Sequence, residues 1–102
     1  MKANDQIYLQ LDADDMRGID EWRQHKKQPI MSIIRDAVIA ASEHLNGKPG
    51  DLDTGKVVRS LTLKISKGFA WVGFLESLER IRRKHDLNRQ QAVRYALRKG
   101  KR

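Results

Sequence analysis

The sequence predicts a small, mainly helical domain with a two-stranded antiparallel β-ribbon, built from two strand-helix-helix units in one chain. Three observations predict it. The segments Gln6–Asp12 and Ser60–Ser66 alternate apolar and polar residues strictly, which is the period of a half-buried strand. Each is followed by two stretches whose apolar residues recur at helical spacing. The units also align, the strands at an offset of 54 residues and the second helices at 59, where Ile33-Ile34-Arg35-Asp36-Ala37-Val38 meets Ala92-Val93-Arg94-Tyr95-Ala96-Leu97.

In the first strand Ile7, Leu9 and Leu11 share one side while Gln6, Tyr8 and Gln10 share the other. Asp12 is a good N-cap for the helix that follows, and Asp14 and Asp15 fall in its first turn, where the helix dipole favours negative charge. Met16, Ile19 and Trp22 mark its inner face, and the helix is expected from about Ala13 to Lys26. Pro29 suits the first turn of a second helix burying Ile30, Ile33, Ile34, Ala37, Val38, Ala41 and Leu45, with Gly47 as its C-terminal cap. Residues 1–45 form the first unit. Residues 46–59 are dense in turn formers and read as a linker. Extended, its roughly thirteen residues reach at most about 43 Å, enough to return the second strand beside the first.

The second unit covers residues 60–102. Leu61, Leu63 and Ile65 give its strand an apolar side opposite Ser60, Thr62 and Lys64. Ser66 takes the capping place of Asp12. Phe69, Val72, Leu75, Leu78 and Ile81 supply an apolar stripe that Trp71 and Phe74 widen. The difference between the two offsets places about one extra turn at Gly68 to Val72. Asn88 caps the last helix, in which Ala92, Val93, Ala96 and Leu97 face inward.

Two units of about fifty residues are each too small for a self-sufficient core, so the halves are expected to share one. The 102 residues carry a net charge of +8. The charge is uneven: residues 1–54 hold seven Lys/Arg against ten Asp/Glu, and residues 55–102 hold fourteen against three. A basic surplus of this kind favours a polyanion, with most of the attraction coming from the second half. The chain has no cysteine, which excludes a disulfide scaffold and a thiolate metal site and fits the cytoplasm. No apolar run suits a signal peptide or a bilayer span, so no membrane partner is expected. His25, His44 and His85 stand apart, and no nucleophile elbow or phosphate-binding glycine loop is present, so neither an enzyme nor a metal or other cofactor is expected. Helix capping accounts for Asp12, Asp14 and Asp15 better than a metal cluster does, and Trp22 and Trp71 read as core.

If the two strands pair, Gln6, Tyr8, Gln10, Ser60, Thr62 and Lys64 gather on one exposed face. A two-stranded ribbon fits the DNA major groove, where Gln pairs with adenine, Lys with guanine, and Ser or Thr with either. Taken together, the strand, capped helix, polar turn and second helix resemble the ribbon-helix-helix (MetJ/Arc) superfamily over Gln6–Leu45 and Ser60–Arg98. The resemblance implies double-stranded DNA binding, with base contacts from those six strand residues. It implies phosphate contacts near Gln28, Pro29 and Ile30 and at Asn88, Arg89 and Gln90, the first clamp being the weaker for want of a cap and one N–H. Two copies in one chain are similar to the tandem accessory proteins of conjugative plasmid relaxosomes and of T-DNA transfer. That implies an intramolecular pseudo-dimer, a relaxase or other DNA-processing partner, and several copies on adjacent sites. A transcriptional repressor or antitoxin-type autoregulator of the same fold is the alternative. A protein-interaction module, motivated by Phe69, Trp71 and Phe74, and a general nucleic-acid binder also stay open.

Overall fold

The computed structural model describes residues 5–25, 27–45, 52, 56–65 and 71–99. The order of elements is β1 (Asp5–Leu11), α1 (Ala13–His25), α2 (Ile30–Ser42), β2 (Arg59–Ile65), α3 (Val72–His85) and α4 (Arg89–Lys99). The protein is mainly helical, and β1 and β2 form a two-stranded antiparallel sheet within the one chain. Gln6 lies opposite Lys64, Tyr8 opposite Thr62 and Gln10 opposite Ser60. Ile7, Leu9, Leu11, Leu63 and Ile65 are buried beneath the ribbon, and Leu61 is half-buried. Each such side chain contributes about 1.5–3 kcal/mol by leaving water.

The helices exchange partners between the halves of the chain. α1 packs on α4, α3 packs on α2, and α2 packs on α4 across the middle. Ile19, Ile33, Ile34, Val38, Phe74, Leu78, Ile81, Val93 and Leu97 meet in one core, so neither half encloses its own apolar surface.

Several boundaries and faces differ from the sequence expectation. α1 is described to His25, and Lys26 lies outside the described residues. Pro29 is the N-cap of α2 and not its first helical residue, because its ψ of 151° is extended. The C-cap of α2 is Glu43, whose N–H donates to the Ala40 carbonyl while the next N–H, of His44, donates to that of Ala41; Gly47 lies outside the described residues. So do Ser66 and Gly68 to Ala70, including Phe69, while the described α3 starts after Trp71 with no side-chain cap. The α3 stripe is also turned: Phe74, Ser77, Leu78 and Ile81 are buried, whereas Val72 and Leu75 are 55% and 37% exposed. Val72, Leu75 and Leu78 advance by about 300° per step of three, so the stripe drifts round the helix by about 60° at each step and Val72 lies about a third of a turn from the buried Leu78. The stretch read as a linker is more than a spacer, since Leu52 is buried in the core at 3% exposure. No helix among the described residues is long and apolar enough to cross a membrane.

Candidate nucleic-acid interface

The period-2 alternation that buries one face of the ribbon turns the other outward. Gln6, Gln10, Ser60 and Lys64 are exposed and Thr62 is half-buried. Tyr8, at the centre of the face, is 69% exposed, and its hydroxyl donates to Gln6 Oε1 at 3.3 Å. The six strand residues singled out in the sequence therefore share one surface. It holds amide, hydroxyl and ammonium groups capable of hydrogen bonding to base edges.

The candidate phosphate-contacting residues occupy two helix starts with different chemistry. At α4, Asn88 closes a reciprocal capping box: its N–H donates to Gln91 Oε1 at 3.1 Å, and its Oδ1 accepts from the Gln91 N–H at 2.8 Å. Gln90 Oε1 accepts the backbone N–H of Gln10 at 2.9 Å, joining this helix start to the ribbon. Arg89 stands first in the helix and is half-buried. At α2, Pro29 has neither an N–H nor a capping side chain, and only its carbonyl is engaged, by the Ser32 and Ile33 N–H groups at 3.0 and 3.1 Å. Gln28 Nε2 donates to Asp36 Oδ2 at 3.0 Å, and Ile30 packs against the core. Whatever α2 offers an anion comes from its backbone and dipole.

The most heavily bonded polar cluster was missed by sequence reasoning. Asp12 caps α1 in a second reciprocal box, each Asp accepting the other's N–H, with Asp12 to Asp15 and Asp15 to Asp12 distances of 3.0 Å. Both carboxylates are also gripped by α4. Arg94 Nε reaches Asp15 Oδ2 at 2.8 Å and its Nη2 reaches Asp12 Oδ2 at 2.9 Å, while Arg98 Nε reaches Asp15 Oδ1 at 2.9 Å. Arg98 also bonds Asp12, and Arg94 Nη1 donates to the Leu52 carbonyl. Burial alone would raise the Asp12 carboxyl, but the Asp15 N–H, Arg98 and Arg94 outweigh it and hold it below the usual carboxylate range. Burial alone would lower Arg98, yet Asp15, Asp12 and Asp14 hold it above its ordinary value. These two arginines are therefore matched inside the fold by the first half's aspartates. A signal was available: aligning the second helices sets Arg35 and Arg94 at the same place within otherwise apolar segments. Arg35 stands 5.8 Å from the Trp71 ring, near the start of α3.

Toward the end of α3, Arg80, Arg83 and Lys84 are exposed, and Arg82 pairs with Glu79 at 2.6 Å and donates to the Leu87 carbonyl at 3.2 Å. Trp22 and Trp71 are half-buried against the core. The His85 ring lies 4.8 Å from that of Tyr95. Among the described residues no group of three or more His, Cys, Asp or Glu is placed to hold a metal ion. Comparison with family models, with curated proteins and with solved structures finds no match to this chain.

Proposed function

We propose that the chain is an intramolecular pair of ribbon-helix-helix units that binds double-stranded DNA sequence-specifically, laying its β-ribbon in the major groove. The observation that carries this reading is the ribbon itself: six polar residues at matched register on one outward face, above an apolar face turned to the core. The exchange of helix partners supports the pseudo-dimer, because α1 against α4 and α3 against α2 is the packing that two intertwined copies require. Arg94 beside the start of α1 and Arg35 beside the start of α3 add a matched pair of contacts. Net charge of +8 supplies the long-range attraction to phosphate.

The test is electrophoretic mobility shift and footprinting on DNA flanking the protein's own gene. Lys64→Ala and Gln10→Ala should each cost about 1–3 kcal/mol on the protected site and leave random duplex nearly unaffected. Equal losses on both would remove base readout. The tandem form favours an accessory role beside a relaxase at a transfer origin or T-DNA border, and protection of a promoter would favour a repressor.

A second reading, a protein-docking module, is favoured by one observation. The exposed Leu75 lines a groove of about 560 Å³ with Glu76, Glu79, Arg80 and Arg83, next to the exposed Val72. A stable co-purifying protein partner combined with salt-insensitive, negligible DNA affinity would favour it.

A further inference from the structure

The two ends of the ribbon differ in chemistry. Gln6 faces Lys64 at one end and Gln10 faces Ser60 at the other, with Tyr8 opposite Thr62 between them. They also differ in how they are held. At the Gln10 end, the reading strand and the start of α4 are bonded together through the Gln10 N–H and Gln90 Oε1, 2.9 Å apart. Gln90 in turn stands two residues after Asn88, inside the closed capping box with Gln91.

The repeat offsets show what stands in the same places at the other end. An offset of 59 sets Pro29 against Asn88, Met31 against Gln90 and Ser32 against Gln91, and an offset of 54 sets Lys64 against Gln10. A thioether is a weak acceptor, so Met31 is a poor substitute for an amide oxygen as a strand anchor. Pro29 brings no capping side chain, and the Gln28 amide is turned to Asp36. Lysine also reaches its target as a point charge on a flexible stem, whereas a glutamine amide must meet its base in one plane.

Resting on the major-groove reading above, we propose that Gln90 is a specificity-determining residue that locks Gln10 and the α4 terminus into one rigid reader. The target is then a non-palindromic duplex. Its half beneath Gln10 and Ser60 carries adenine for Gln10 and is read strictly. Its half beneath Gln6 and Lys64 carries guanine for Lys64 and tolerates mismatches. A reader whose backbone is bonded to its phosphate clamp cannot shift to relieve a wrong base, and an unanchored one can.

The experiment is selection of bound duplexes from a random pool with the full chain, followed by replacement of each base pair in the recovered site. Each replacement beneath Gln10 should weaken binding about tenfold or more, and each beneath Lys64 about threefold or less. Gln90→Met, which copies the residue at the other end, should bring the strict half down to the tolerance of the loose half, so that the ratio of the penalties in the two halves falls toward one. Gln90→Glu keeps the acceptor and adds a negative charge, so it should lower affinity for every duplex and keep the unequal penalties. Equal penalties in the two halves of the wild-type site, a palindromic site, or loss of the inequality in Gln90→Glu would overturn the assignment and leave DNA binding standing. A pool that yields no enriched sequence would overturn both.

Discussion

Gly18 in α1 faces the carbonyl of Leu97 in α4 with no space for a side chain between them. A Cβ at Gly18 would overlap the Leu97 oxygen and lie 2.9 Å from its carbonyl carbon. The alignment at 59 residues sets Ser77, another small buried residue, in the corresponding place on α3. Close approach of α1 to α4 is what brings Asp12 and Asp15 within reach of Arg94 and Arg98.

Gly18→Ala is therefore expected to destabilise the fold, although alanine is the better helix former by about 1 kcal/mol. The obstacle is backbone of a packed helix and not the far end of a flexible side chain, so the two helices must separate, at a cost of about 1–3 kcal/mol or more. Urea unfolding checks this, and a midpoint at or above that of the wild type would show that the helices part freely.

Arg94→Met leaves Asp12 and Asp15 in place with one partner fewer, and Asp15 is fully buried. Leaving a buried charge with no partner costs about 3–5 kcal/mol, a large share of the 5–15 kcal/mol typical of a whole domain. Because Arg98 still pairs with both carboxylates, the loss should stay below that figure. Acid should reproduce part of this loss. The folded Asp12 is held below its ordinary 3.8, so its contribution is complete above that pH and disappears as pH falls through the lower folded value. Chemical denaturation from pH 5 downward should show a steep fall in the wild type and a shallower one in Asp12→Asn.

His85 titrates in a milder range. Burial first, then Lys84 and Lys99, push the ring below its ordinary 6.5, and the neighbouring Tyr95 adds no charge to oppose them. The unfolded chain thus takes up the proton first, and stability present above pH 6.5 should decline as pH drops through and below that value. His85→Gln should flatten the dependence of the melting temperature between pH 7.5 and 5.5. An unchanged slope would assign that dependence to other groups.

Asp86 closes α3 in the left-handed region, with φ 55° and ψ 54°. A Cβ is disfavoured there, so Asp86→Gly should stabilise the protein by about 0.5–1 kcal/mol, less what glycine adds to unfolded-state entropy. A lower urea midpoint would mean that the Asp86 side chain makes a larger contribution than its backbone strain removes.

What the sequence disclosed and what it hid divide by the range of the interactions involved. The alternation of Ile7, Leu9 and Leu11 and of Leu61, Leu63 and Ile65 is local, and so is the capping of α4 by Asn88; each could be read in place. The pairing of the strands followed from needing one shared apolar face. The Arg94–Asp15 and Arg98–Asp12 contacts join residues 79 and 86 positions apart, and no local pattern marks such partners. Leu52 was hidden for the same reason, a lone apolar residue among turn formers that Arg94 holds by its carbonyl. The exposed Val72 and Leu75 mislead in the opposite sense, because a spacing of three drifts round α3 and does not hold every member on its buried face.

The ribbon has a consequence for synthesis. During translation β1 leaves the ribosome well before Arg59–Ile65 has been made, and its hydrogen-bonding partner is that later segment. Ile7, Leu9 and Leu11 must wait in an unfinished chain with their cover still to come, and an unpaired strand edge with a bare apolar face is the kind of surface on which growing chains stick to one another.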